Sequence, residues 1–188
     1  MSESPTEHIE HVEHAQHAAH SGDSFTMTVS VTIAILAVAA ATIGSLETIE
    51  TSATISEKNN AVLYQSKASD QWAFYQAKSI KKNLYEIAAQ TNAEKSEDFA
   101  KESKRYDAET KDILKEAQEQ EHLSEERLHA SAHHEHRHHV LTIAVTLLHV
   151  AIAISTISII SKGARWPWYG ALALTTAGVI IAMSAYIG

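Results

Sequence analysis

The chain has no cysteine, which excludes disulfides, thiol nucleophiles and thiolate metal sites and leaves the redox compartment unread. Its two prolines and six glycines all lie outside residues 45–162, so that stretch contains nothing that must break a helix. Asp, Glu, Lys and Arg are missing from residues 25–46, 140–161 and 166–188. Each of these segments is about 22 residues long, and a helix rising about 1.5 Å per residue needs about 20 to cross a ~30 Å hydrocarbon core. The first is too long, and too lacking in a basic leader, to be a cleaved signal peptide. No Gly-rich phosphate loop is present. Ser79 and Lys82 match a Ser-x-x-Lys pattern, but on a surface helix arm with no oxyanion hole the match is chance.

What remains is a densely charged middle between apolar ends. The simplest fold is an all-α membrane protein with three transmembrane helices and a long antiparallel coiled-coil hairpin between the first and second. The expected divisions are a His/Glu-rich disordered or helical tail at 1–24 and a transmembrane helix at 25–46. An extramembrane helical hairpin follows at 47–139, then a second transmembrane helix at 140–161. A short basic and aromatic loop at 162–168 leads to the third, at 169–187. The polar cluster at 91–97 is the plausible turn, because it gives two arms of nearly equal length, each roughly 65 Å. The net charge of −8 divides as about −5 on the tail, −5 on the hairpin and +2 on the loop. An acidic exterior argues against nucleic acid as a partner.

Apolar positions on the ascending arm recur with heptad-like spacing at Leu63, Ala73, Ala77, Ile80, Leu84 and Ile87. The descending arm offers Phe99, Tyr106, Ile113 and Ala117. This predicts a coiled coil thin in large aliphatics, and hence association of several copies. Trp72 and Tyr75 come level with Ile113 and Leu114 across such a hairpin, and these four form the expected interaction surface, within the chain or with a neighbouring copy. Small residues at Ala40 and Gly44, Ala173 and Ala177, and Gly178 and Ala182 suit close packing of helices in lipid.

The run Gln-Trp-Ala-Phe-Tyr-Gln-Ala-Lys-Ser-Ile-Lys at residues 71–81 follows a His-rich tail and an alanine-rich apolar helix and precedes two more apolar helices. In this the chain resembles a bacterial family of small membrane proteins known only as a domain of unknown function. The resemblance covers nearly the whole chain and implies a multi-pass protein of the bacterial inner membrane. It implies no reaction, ligand or site residues.

Histidine supplies the sharpest chemistry. His8, His11, His14, His17 and His20 repeat every third residue in the tail, a composition that binds metals. At the base of the hairpin His122, His129, His133 and His136 share a sector of a helix with Glu126 beside them, and spacings of three and four suit two imidazoles on one ion. Zinc, nickel and copper are the candidate metals. A pH-sensitive charge band and a polar collar at the headgroups are the alternatives. His149 lies within the second apolar span, where an ionisable group is costly and points to a function, unless neighbouring hydroxyls simply satisfy it. Orientation is divided: Lys162 and Arg165 favour a cytoplasmic loop and an external hairpin, whereas Lys58, Arg127 and Arg137 near the hairpin's base favour the reverse.

The functional expectation is a non-enzymatic, self-associating integral membrane scaffold or interaction protein, with the lipid bilayer, further copies of itself and an unidentified protein as partners. A metal-handling membrane protein and a channel-like assembly around His149 are the alternatives.

Overall fold

Helix α1 begins at Ser24 and runs to Thr91, 68 residues without interruption. A single 3-10 turn, Ala93–Lys95, reverses the chain. Helix α2 spans Ser96–Ile160 and helix α3 spans Arg165–Ser184. This computed structural model describes residues 24–161 and 164–187, and among them there is no strand. The histidine repeat of the tail lies outside the described residues, as do Lys162 and Gly163 of the last loop. By length and composition, all three helices are long and apolar enough to cross a membrane.

The turn is built from its own side chains. Asn92 leaves the helical region with φ −121° and ψ 96°, and its Oδ1 accepts from the Lys95 amide. The Ser96 hydroxyl donates to the Ala89 carbonyl at 2.9 Å, satisfying one of the orphan acceptors at the end of α1.

The chain forms two compact units, one of them Thr54–Ala132 and the other the residues on either side of that segment. In the latter, α1 buries Val29, Ile33, Leu36, Ala40 and Ile43, while α2 buries Leu141, Val145, Leu148 and Ile152. Both sets alternate steps of four and three, the rhythm that keeps a seam facing a partner helix. Helix α3 closes the core with Ala171, Gly178 and Ala182. A Cβ on Gly178 would meet the Ala144 carbonyl oxygen at 3.2 Å and Leu147 Cβ at 3.4 Å, so the missing side chain is what lets α3 lie close on α2. The other predicted small pair of α3, Ala173 with Ala177, faces outward instead. The outer surface of α1 in this unit is apolar, with Met27, Val31, Ile35 and Val38 all more than half exposed.

In the unit Thr54–Ala132 the seam is made of small, aromatic and polar residues. On α1 the inward positions are Ala61, Tyr64, Ala68, Gln71, Tyr75, Lys78, Lys82 and Tyr85, again in steps of three and four. Opposite them α2 buries Tyr106, Thr110, Ile113, Ala117 and Ser124. The expected descending register is therefore present, but the ascending one is displaced: Leu63, Ala73, Ala77, Ile80, Leu84 and Ile87 face outward. Alanines at Ala61, Ala68 and Ala117 permit a close approach. The polar positions find cross-partners, with Lys78 Nζ and Glu109 at 2.6 Å and Lys82 Nζ and Asp107 at 2.6 Å. Tyr85 stacks on Tyr106 with centroids 5.6 Å apart. The register that satisfies these groups prevails over the one that buries the larger aliphatics.

Candidate functional site

The alternation of four and three that buries Ile43 on α1 next reaches Glu47 and Glu50. On α2 the same alternation, followed back from Leu141, reaches His138 and His134. Two acids and two imidazoles thus continue the seam of the apolar core beyond its last aliphatic layer. Helix periodicity alone delivers them to one place.

Glu50 is the centre of this cluster and is 5% exposed. Its Oε2 lies 2.6 Å from His134 Nδ1. Its Oε1 accepts from the Tyr186 hydroxyl at 3.1 Å and lies 4.0 Å from Arg137 Nη1. Glu50 Oε2 and His134 Nδ1 thus share one hydrogen bond between α1 and α2. The Arg137 guanidinium also lies over the Tyr186 ring, 5.2 Å from its centroid. One step earlier on α1, Glu47 Oε1 accepts from the Thr142 hydroxyl at 2.6 Å and stands 3.7 Å from His138 Nδ1. His138 Nδ1 is in turn 3.0 Å from Thr51 Oγ1. The chain after α3, through Tyr186, is joined with α1 and α2 around one buried carboxylate. A buried charge is stable only when paired and hydrogen-bonded in this way.

The histidines singled out from the sequence occupy the opposite side of α2. His122, Glu126, His129, His133 and His136 are all exposed, and His122 Nδ1 is 3.8 Å from Glu126 Oε1. Among the described residues no group of three or more His, Cys, Asp or Glu side chains is arranged to hold a metal ion. His149 is half-buried within α2.

The four residues of the expected interaction surface lie in or beside the hairpin seam. Ile113 is 8% exposed, and Trp72, Tyr75 and Leu114 are half-buried. Trp72 Nε1 donates to Glu121 Oε1 at 2.9 Å and its ring meets Tyr75 edge-on at 5.7 Å. The large apolar side chains that α1 leaves uncovered in this unit include Phe74, Ile80, Leu84 and Ile87.

Ion pairs outside the apolar segments have clear electrostatic effects. Hydrogen bonds from Lys111 and then Lys82 hold the Asp107 carboxyl down at about 2. Lys78 lowers Glu109 by the same means, and Asp107 raises Lys82.

These features define an all-α protein whose three helices are each able to span a bilayer and whose described polar cluster is tied up in contacts within the chain. The chain belongs to the family described as Domain of unknown function (DUF4337), whose model matches residues 25–188. No match is found among curated proteins or among solved structures.

Proposed function

We propose that this protein is a multi-pass integral protein of the bacterial inner membrane that acts, without catalysis, as a self-associating scaffold or interaction protein. Membrane insertion is supported by the apolar outer surface of α1 around Met27, Val31, Ile35 and Val38, which exposes aliphatic side chains to whatever surrounds it. In water such a surface would be a liability. In this reading the Glu50 cluster is a polar clamp: its carboxylate oxygens are occupied by groups of the same bundle.

The observation that carries self-association is the outward row Ala73, Ala77, Ile80, Leu84 and Ile87 on α1. It lies on the hairpin, outside the apolar segments, where lipid does not account for it. The test is the mass of the protein, purified in detergent and in nanodiscs, by light scattering over a hundredfold range of concentration. A multiple of the chain mass is expected. A single chain at every concentration in both media would rule out self-association. Extraction of the native protein from membranes by alkaline carbonate, without detergent, would rule out integral insertion.

A further inference from the structure

The far half of α1 carries two heptad stripes at once. One is taken up by the hairpin seam. The other, Ala73, Ala77, Ile80, Leu84 and Ile87, advances by four, three, four and three residues and faces outward, with Ile80, Leu84 and Ile87 61%, 61% and 57% exposed. A single exposed aliphatic requires no explanation. Five apolar residues in heptad order on a hairpin do, because that rhythm is the signature of a surface meant for another helix.

We propose that this stripe is the contact through which three or four copies of this chain associate, with their α1 helices parallel at the centre and their α2 helices outward. The proposal rests on the self-associating membrane reading given above. Four considerations bear on a further copy of the same chain as the occupant: three favour it, and area decides between a ring and a pair.

The first is register. Three-residue steps run from Ala77 to Ile80 and from Leu84 to Ile87, which makes Ala77 and Leu84 the a positions and Ala73, Ile80 and Ile87 the d positions. Leucine at a with isoleucine at d is the combination that moves coiled coils from dimers to trimers and tetramers. The second is area. The stripe is about 21 Å long at ~1.5 Å per residue, and its three large side chains offer roughly 300 Å² at about 100 Å² for each aliphatic side chain. That falls well short of the ~800 Å² per partner of an ordinary stable interface. A closed ring, in which each helix is covered by two neighbours, uses the stripe more fully than a pair does.

The third is charge. In parallel pairing Gln76 meets Lys81 of the next copy and Asn83 meets its Ala88, so no like charges face one another across the contact. The outward face of α2 is different, carrying Lys104, Lys111, Lys115 and Glu119, all exposed. The fourth is orientation. Copies inserted in one bilayer with one topology run their α1 helices in the same direction, and parallel pairing brings each stripe position against its own counterpart.

The test compares the parent with a variant carrying Ile80→Gln, Leu84→Gln and Ile87→Gln, in detergent and in nanodiscs. These side chains face outward, so helicity by circular dichroism should be unchanged while the mass falls from three or four chains to one. The absence of cysteine allows a direct second measurement. Ile87→Cys in native membranes should form a covalent dimer under mild oxidation, and Glu116→Cys, on the exposed face of α2, should not. A parent of three or four chains whose mass is indifferent to the triple variant, or a dimeric parent, overturns this proposal and leaves self-association standing. Equal cross-linking at the two cysteine positions does the same. A parent that is a single chain throughout overturns both.

Discussion

Glu50, buried on α1, holds its Oε2 2.6 Å from Nδ1 of His134 on α2, while its other oxygen accepts a hydrogen bond from the Tyr186 hydroxyl. This pair makes a sharp test of what the polar cluster does. Truncating one partner of a buried hydrogen-bonded pair leaves the other desolvated and unsatisfied, at a cost of about 1–3 kcal/mol. Glu50→Ala and His134→Ala should each lower the thermal midpoint of helicity in detergent. Replacing both with Leu should recover most of the loss, because a buried ion pair is often exchangeable for apolar packing. Failure of the double variant to recover would mean that Tyr186 and Arg137 depend on the Glu50 carboxylate for more than packing.

The alanine seam leads to a second prediction. Ala68 on α1 and Ala117 on α2 are both 0% exposed, although coiled-coil seams ordinarily favour leucine. Both side chains are closed off from solvent, as expected where two helices pack closely on small residues. Ala68→Leu should therefore destabilise the hairpin by about 1–3 kcal/mol, the usual cost of overpacking, whereas Ala77→Leu on the outward stripe should not destabilise the chain. Urea unfolding of both variants, with equal slopes required for the comparison, decides the matter. A stabilising Ala68→Leu would show that the helices are further apart than this packing requires.

Much of this fold is legible in the sequence because its determinants are local. The absence of helix breakers between residues 45 and 162, together with three charge-free segments, points to long helices. Asn92 and its polar neighbours stand where the chain reverses. Periodicity does not say which of two heptad stripes on α1 turns inward. Size favours Ile80, Leu84 and Ile87, but Lys78, Lys82 and Tyr85 have partners on α2 and the aliphatics do not need them. The polar cluster is hard to see for a related reason. Histidine spacing draws attention to His129, His133 and His136, which face outward, although the register of Ile43 and Leu141, carried one heptad further, lands on Glu47, Glu50, His134 and His138. Tyr186 cannot be added by periodicity, since it comes from a third segment whose placement is a tertiary fact.

Gly178 tests the approach of α3 to α2. The added methyl of Gly178→Ala would sit 3.2 Å from a backbone oxygen, and a backbone atom yields less readily than the end of a side chain. Gly178→Val should be clearly destabilising, by about 1–3 kcal/mol, and should increase protease cleavage in the chain linking α2 to α3. A methyl group on Gly44 would have nothing within 4 Å, so Gly44→Ala should be neutral or stabilising through helix propensity. Equal effects of Gly178→Val and Gly44→Ala on thermal stability would rule out close packing at Gly178.

Asp107 predicts how the hairpin responds to acid. Lys111 Nζ and Lys82 Nζ stand 2.7 and 2.6 Å from its two oxygens, and the carboxyl is held at about 2, below its ordinary 3.8. A group whose folded value is depressed contributes stability that is complete above its unfolded value and disappears as pH falls through the folded one. The thermal midpoint of the parent should therefore exceed that of Asp107→Asn by a constant margin from pH 7 down to about 5. The margin should then shrink progressively, with only a small part of it left at pH 2. Lys82 has the opposite dependence, since Asp107 raises it above 10.5: its contribution is complete below that value and is lost as the pH climbs past it. High salt should weaken both, because the groups are at the surface and screened. The measurement is a paired melting series of parent and Asp107→Asn between pH 2 and 7, read as the difference at each pH so that the other carboxylates cancel. A margin that persists unchanged at pH 2 would mean that Asp107 acts through packing or helix geometry, not through its charge.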